Sequence, residues 1–454
     1  MTAAQIDLIK KSFEDYGYYV RVICDGGLEF VTSKETLVFD DENEVLYAID
    51  INDDILGQQK WPARVLTAPY DIIFYIESIF TLDQLKKYMD EGSISSAITE
   101  EQKQAVIKNI QGLVNKFPRE NFANASGYTP RVATVKSADG TTRNISTIKE
   151  AIETAKNGDN IRLYDTVVVG EEPITIPADT EITIDLNGNN VTAKNAAFTA
   201  DSGKLTVVNN SNTVAHIKSG VESFRIDSRK SGKEPELIIS GNIEIDSEDN
   251  CIYSAGKCKI EVTGVTMTST SNEYSAIQGN GNPDAAGTDI TLNNCTIKSS
   301  NNIEAIYHPQ NGKLTLNNCT VNGLMGIYIK AGELVLNNTN IAANGEYEEY
   351  KFNGNGCNSN GAGVLADFCD YPGGNPKVTI NGGRITSKNS YALCAFDKEG
   401  NQNPEAISGN IVITSGQFVG GTKVSNSGLI DEMCAEGCVI RPGVSSKSVQ
   451  VAKA

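Results

Sequence analysis

Asp289-Ile-Thr-Leu-Asn-Asn-Cys-Thr-Ile297, Lys313-Leu-Thr-Leu-Asn-Asn-Cys-Thr-Val321 and Glu333-Leu-Val-Leu-Asn-Asn-Thr-Asn-Ile341 are three copies of one phrase. Weaker copies are Lys259-Ile-Glu-Val-Thr-Gly-Val265, Lys377-Val-Thr-Ile-Asn-Gly-Gly-Arg-Ile385 and Asn410-Ile-Val-Ile-Thr-Ser-Gly-Gln-Phe418. Each unit is an alternating apolar–polar strand, an Asn or Gly turn, and a second apolar pair. A repeat of this kind decides the architecture, and here it marks a β-solenoid. The first apolar residues of the copies are Ile182, Leu205, Leu237, Ile260, Ile290, Leu314, Leu334, Val378 and Ile411. Their spacings are 23, 32, 23, 30, 24, 20, 44 and 33 residues. The short spacings fit one coil of a parallel β-helix, and the long ones fit a coil plus a loop.

A further apolar stretch follows in each coil, among them Cys251-Ile-Tyr253, Ser275-Ala-Ile-Gln278, Glu304-Ala-Ile-Tyr307, Met325-Gly-Ile-Tyr328, Gly363-Val-Leu365 and Tyr391-Ala-Leu-Cys394. Gly256, Gly279, Gly312 and Gly332 come soon after, where a sharp corner calls for positive φ. Alternation points Leu314 and Leu316 inward and Thr315 outward. In-register stacking then sets Asn on Asn, and an Asn ladder satisfies turn amides through chained side-chain hydrogen bonds. Asn294, Asn318 and Asn338 are the expected ladder. Cys295 and Cys319 fall at equivalent positions that want a small buried hydrophobe.

Ser146-Thr-Ile-Lys-Glu-Ala-Ile-Glu-Thr-Ala-Lys-Asn-Gly-Asp-Asn-Ile-Arg-Leu163 precedes the repeats. Ile148, Ala151, Ile152 and Ala155 share a helical face, Gly158 is expected to end the helix, and Ile161–Leu163 to begin a strand. Over about residues 132–454 the chain resembles right-handed parallel β-helix proteins of the pectate-lyase-like superfamily. The resemblance implies a capping helix and then a first coil, Glu181-Ile-Thr-Ile-Asp-Leu-Asn-Gly188. It implies little about activity, since that fold carries lyases, hydrolases, tailspikes, adhesins and inert structural proteins.

The first third reads differently. Ile6–Phe13 has the pattern of a short helix, and Tyr18–Ile23, Leu28–Val31, Thr36–Phe39 and Val45–Ile49 read as strands of a β-meander. Thr81-Leu-Asp-Gln84 and Thr99-Glu-Glu-Gln102 have the form of capping boxes that start two further helices. The expected organisation is an α+β attachment or oligomerisation module over residues 1–119, a linker and hairpin over 120–145, a parallel β-helix over 146–425 and a C-terminal cap over 426–454. The fold class is therefore mainly β. In the cap, Ser427–Met433 reads as a short helix and Cys438–Arg441 with Ser448–Val451 as a closing hairpin.

Composition narrows the function. A net charge of −18 argues against nucleic acid as partner, because phosphate binding needs a basic surface. Met1-Thr-Ala-Ala-Gln-Ile-Asp7 lacks a basic start and an apolar run, and no segment approaches a membrane-spanning length. Folding in a cytoplasm, without membrane insertion, is the expectation. The ten cysteines are then expected as reduced structural thiols. Cys434 and Cys438 form a lone pair with no nearby His, so zinc is not expected, nor any cofactor.

An active site is hard to find. The hydrolase motifs of pectin-degrading β-helices are absent, and neither His216 nor His308 lies between glycines. Glycosidase chemistry of the tailspike kind needs only two carboxylates roughly 5 to 9.5 Å apart. Candidates are Asp246, Glu248 and Asp249 on one coil, Glu273 on the next and Glu304 after it. Asp367 and Asp370 follow the long insertion Tyr347–Asn360. Asp246, Glu304 and Asp367 lead this set, against the reading that all are solvated acidic residues. Tyr253, Tyr274, Tyr307 and Tyr328 are expected as exposed aromatics able to stack on sugars, or as a ladder along the stack.

Attachment module, linker and β-helix together resemble the plan of a phage virion appendage, a head fibre or tailspike. That resemblance implies a structural protein of the virion that meets other virion proteins through residues 1–119. It also implies a homo-oligomer and adhesion to surface glycans. A polysaccharide depolymerase using paired carboxylates and a bacterial surface adhesin are the alternatives.

Overall fold

The computed structural model describes residues 19–22, 28–31, 35–40, 45–50 and 132–454, apart from 146, 165, 282–286, 300–302, 355, 357–359 and 425. The chain divides into two units, Met1–Arg131 and Val132–Ala454. In the first, Tyr19–Val22, Leu28–Val31, Glu35–Asp40 and Val45–Asp50 pair antiparallel in chain order, as a meander. The expected helices at Ile6–Phe13 and after Thr81 and Thr99 lie outside the described residues, as does the linker.

The second unit is a stack of parallel coils, each contributing strands to three faces. Strands such as Asp289–Asn293, Lys313–Asn317 and Glu333–Asn337 build the first face. Thr296–Ser299, Thr320–Gly323 and Asn340–Ala343 follow on the second. These two faces run through one 22-stranded sheet. The third face is a separate nine-stranded sheet that includes Glu304–His308, Met325–Ile329 and Val364–Phe368.

Register follows the sequence repeat. Ile182 pairs with Leu205, Leu205 with Leu237, and the column continues through Ile260, Ile290, Leu314, Leu334, Val378 and Ile411. All nine are buried, as are Leu316 and Leu336, whereas Thr315 between its leucines is half-exposed. One continuous core of Ile, Leu and Val side chains thus fills the stack. At about 25 cal/mol per Å² of apolar area buried, this column supplies the main stabilisation.

The outward positions of the first face form three columns. At the strand starts, charge alternates along Glu181, Lys204, Glu236, Lys259, Asp289, Lys313, Glu333 and Lys377. Lys204 and Lys259 both reach Glu236, at 3.2 and 3.4 Å, and Lys313 reaches Glu333 at 3.0 Å. Stacked strands lie about 4.8 Å apart, so like charges in register would repel. The middle column is Thr183, Thr206, Ile238, Glu261, Thr291, Thr315, Val335, Thr379 and Val412.

The third column begins with Asp185, Val208, Ser240 and Thr263 and continues as an amide ladder. Asn317 Nδ2 donates to Asn293 Oδ1 at 2.8 Å, Asn337 Nδ2 to Asn317 Oδ1 at 2.7 Å, and Asn381 Nδ2 to Asn337 Oδ1 at 2.9 Å. It runs one residue before the expected Asn294, Asn318 and Asn338. Of those three, Asn338 donates to Asn318 at 3.0 Å. Their distinguishing feature is backbone: φ is 54°, 53° and 48°, the left-handed corner conformation that Asn tolerates. Cys295 and Cys319 are buried thiols in successive coils, and the Cys295 amide donates to Cys319 Sγ at 3.4 Å.

Both ends of the stack are closed. Ala133–Lys136 pairs antiparallel with Thr142–Ile145 and with Asp159–Leu163, so this hairpin belongs to the solenoid unit. The capping helix is Ile148–Glu153, started by Thr147, whose side chain accepts from the Glu150 amide, with Ile148, Ala151 and Ile152 buried. It stops before Gly158, which instead takes φ of 84° in the turn into the next strand. At the other end, Ser448–Lys453 pairs antiparallel with Cys438–Pro442 and with the strand Ile411–Val419, which protects a sheet edge. The expected helix at Ser427–Met433 is two short 3-10 turns, because Ser427 has φ of 53° and breaks the run.

Candidate functional site: a tyrosine-lined cleft on the third face

The third face differs from the others in having a second apolar layer outside it. Tyr307, Tyr328 and Leu365 stack in register and alternate with the inward Ile306, Ile327 and Val364. They point away from the core, yet Tyr307 is 8% exposed and Tyr328 is 0% exposed. Met325, Leu365, Cys394 and Phe396 join them, with Tyr350 and Tyr391 packed alongside. The two tyrosine rings lie 5.5 Å apart, and Tyr350 meets Phe396 at 5.2 Å. Tyr307 and Tyr328, expected as sugar-stacking rings or as a ladder, therefore stack as a buried pair, because the insertion after Asn344 folds back over them, whereas Tyr274 is 39% exposed.

Polar groups fasten that insertion. Asp367 is fully buried and takes Tyr328 OH on Oδ2 at 2.5 Å and Tyr350 OH on Oδ1 at 2.7 Å. Burial lifts its carboxyl above the ordinary range, against the hydroxyl hydrogen bonds and the nearby Lys330 ammonium. Lys330, also fully buried, donates to the carbonyls of Asn353 at 2.5 Å and Gly356 at 2.9 Å. Tyr307 OH donates to the same Gly356 carbonyl at 3.1 Å.

Beside the fastened segment lies a cleft of about 460 Å³. Tyr253, Tyr307 and Tyr371 line it, with Gln278, Asn280, Pro372 and the backbone of Gly279, Gly281, Gly354 and Gly356. The Arg225 guanidinium sits 4.5 Å from the Tyr253 ring, and Lys330 Nζ sits 4.5 Å from the Tyr371 ring. Such contacts hold each ring in place by cation–π attraction. Asn280 Nδ2 donates to Tyr253 OH at 2.7 Å. Tyr371 lies so close to Gly281 that a Cβ there would come within 2.2 Å of its ring. Gly279 has a similar reason to be glycine: a Cβ would meet the Gln310 side chain at 2.7 Å, and its φ is not positive, unlike that of Gly256, Gly312 and Gly332.

The three leading carboxylate candidates, Asp246, Glu304 and Asp367, are not brought together. Asp246 stands half-exposed on the second face, between Lys218 and Thr268 of neighbouring coils. Glu304 and Asp367 are on the third face, at opposite ends of strands two coils apart. Glu304 is 1% exposed and accepts from Ser275 Oγ at 2.8 Å. Asp370 is exposed, with Lys398 at 3.4 Å. Glu248, Asp249 and Glu273 share a corner with Glu222. Partial burial, then the charges of Glu222, Glu248 and Glu273, raise the Asp249 carboxyl.

His216 lies 3.4 Å from Glu244 on the second face. His308 is buried at the end of its strand, and burial pushes its imidazole down to about 4. Among the described residues, no group of three His, Cys, Asp or Glu is placed to hold a metal ion, and no helix is long and apolar enough to cross a membrane.

Sequence reading named Tyr253 and Tyr307 but missed Tyr371, Lys330, Gln278 and Asn280. Lys330 had a usable signal: it is two residues after Tyr328, hence on the same outward side. Compared with protein-family models, curated proteins and solved structures, the chain matches none.

Proposed function

We propose that this chain is a non-enzymatic structural protein of a phage virion, anchored through residues 1–119 and displaying the solenoid cleft to surface glycans. The observation that carries the binding reading is the lining of the cleft: Tyr253 and Tyr371 beside the largely buried Tyr307, two amide side chains and no carboxylate among its described residues. Its volume lies in the range of about 300–1,000 Å³ typical of ligand pockets. Tyrosine rings offer apolar faces to sugar C–H groups, and Gln278 and Asn280 offer donors and acceptors to hydroxyls. Cleavage would need two carboxylates across the ligand, and among the described residues none lines this cleft. The virion assignment rests on the resemblance to head fibres and tailspikes. A right-handed sense for the solenoid follows the chirality rule for parallel crossovers.

Glycan-array binding of the intact protein tests the cleft, with Tyr253→Ala and Tyr371→Ala as controls. Binding lost in both variants supports the reading, and binding indifferent to both refutes it. Release of reducing ends from a bound polysaccharide would replace it with the depolymerase alternative. Immunogold labelling of purified particles tests the virion assignment independently.

A further inference from the structure

The first face carries a charge column, a β-branched column and a third column that is an amide ladder from Asn293 onward, with Glu261 the single charge in the middle one and Asp185 the single charge in the third. The second face has no such order: His216, Lys218, Glu244, Asp246 and Lys298 point out of it. We propose that the first face is the contact surface for a second copy of this chain, packed antiparallel about a two-fold axis parallel to the strands, midway between Lys259 and Asp289. This inference is independent of the glycan reading.

The charge column supports it. A two-fold along the strands reverses the coil order and keeps each column opposite itself. Because the column alternates and holds an even number of charges, its reverse is its complement. Lys259 faces Asp289 of the second copy, Glu236 faces Lys313, and the matching continues outward to Glu181 against Lys377. A slip of one coil sets like charge on like, so the register is specified. Parallel packing about the stack axis would instead set the charge column against the third, with Glu181 opposite Asp185 and no countercharge for the rest.

The middle column also fits: Thr206 comes opposite Val335, Ile238 opposite Thr315, and Glu261 opposite the hydroxyl of Thr291. Strand spacing and strand length give this face about 600 Å², or about 1,200 Å² over both copies. That reaches the lower bound, about 1,200 Å², of stable protein interfaces.

Sedimentation equilibrium of the intact protein tests the contact. The expected result is a dimer whose dissociation constant rises with salt. Thr315→Arg should weaken it roughly tenfold or more with an unchanged melting temperature. Orientation is read by mixing Thr206→Cys protein with Val335→Cys protein under mild oxidation. The mixture should give a cross-linked pair that neither variant gives alone. A monomer at every concentration overturns the proposal. So does a dimer that tolerates Thr315→Arg or yields no mixed cross-link.

Discussion

Tyr328 and Asp367 stand on adjacent strands of the third face, and the tyrosine hydroxyl donates to the Asp367 carboxylate at 2.5 Å under a covering segment of the same chain. Tyr350, from that segment, occupies the other oxygen at 2.7 Å. The carboxylate that sequence reading offered as a catalyst is thus a fastening.

Replacing Asp367 with Ala should leave the buried Tyr328 hydroxyl and the half-buried Tyr350 hydroxyl without their acceptor and cost about 1–3 kcal/mol. The effect should be local. Limited proteolysis should cut between Tyr347 and Asn360 faster in the variant, while the far-ultraviolet spectrum of the stack stays unchanged. Equal cleavage rates would remove the fastening role.

His308 predicts a pH dependence. Its folded value of about 4 is below the ordinary 6.5, so the unfolded chain binds the proton more readily. Its contribution to stability is intact above pH 6.5 and is lost as pH falls from 6.5 to about 4. The loss amounts to about 3 kcal/mol by linkage. Asp367 and Asp249, whose values are raised, act in the opposite direction: they favour the folded state more as pH falls through their folded values. Urea titrations from pH 7 to 4 should therefore show a steeper loss in the native protein than in His308→Gln.

Two neighbouring asparagines should respond differently. Asn337→Ala breaks two ladder bonds and should cost about 1–3 kcal/mol. Asn318→Gly should be nearly neutral, because Asn318 is valued for its φ of 53°. Asn318→Val should cost about 1–2 kcal/mol, since a β-branched residue resists that conformation. Denaturant midpoints of the three variants check the order.

Gly281→Ala tests how the cleft is built. The added Cβ would lie 2.6 Å from the Pro309 carbonyl and 2.2 Å from the Tyr371 ring, so the tyrosine must leave its place. Glycan affinity, read well below the melting temperature, should fall roughly tenfold or more, a loss of about 1.4 kcal/mol, and the clash with the Pro309 carbonyl should lower the melting temperature as well. Retained affinity would show that Tyr371 is not a ligand contact.

Much of the architecture was legible before any coordinates. Register is a local property of a parallel stack: every coil repeats the same inward positions, so aligning Leu314 with Leu334 on paper aligns them in space. The positive φ of Asn294, Asn318 and Asn338 follows equally from residue type at a fixed corner. The ladder was misplaced by one residue, because both asparagines of each pair suit a turn, and only geometry separates the one that chains from the one that bends.

The repeat therefore settled strand positions, inward and outward alternation and the stacking order, all of which depend on residues within one coil and its neighbour. Folding in three dimensions decided the rest. Tyr328 is outward by alternation, yet buried, because a segment without periodicity returns over it. Lys330, Tyr371 and Gly281 meet at one cleft from three separate coils and loops, and no spacing rule relates them. Contacts made by an irregular insertion depend on where its backbone carbonyls and rings come to rest, and a periodic code carries no information about that.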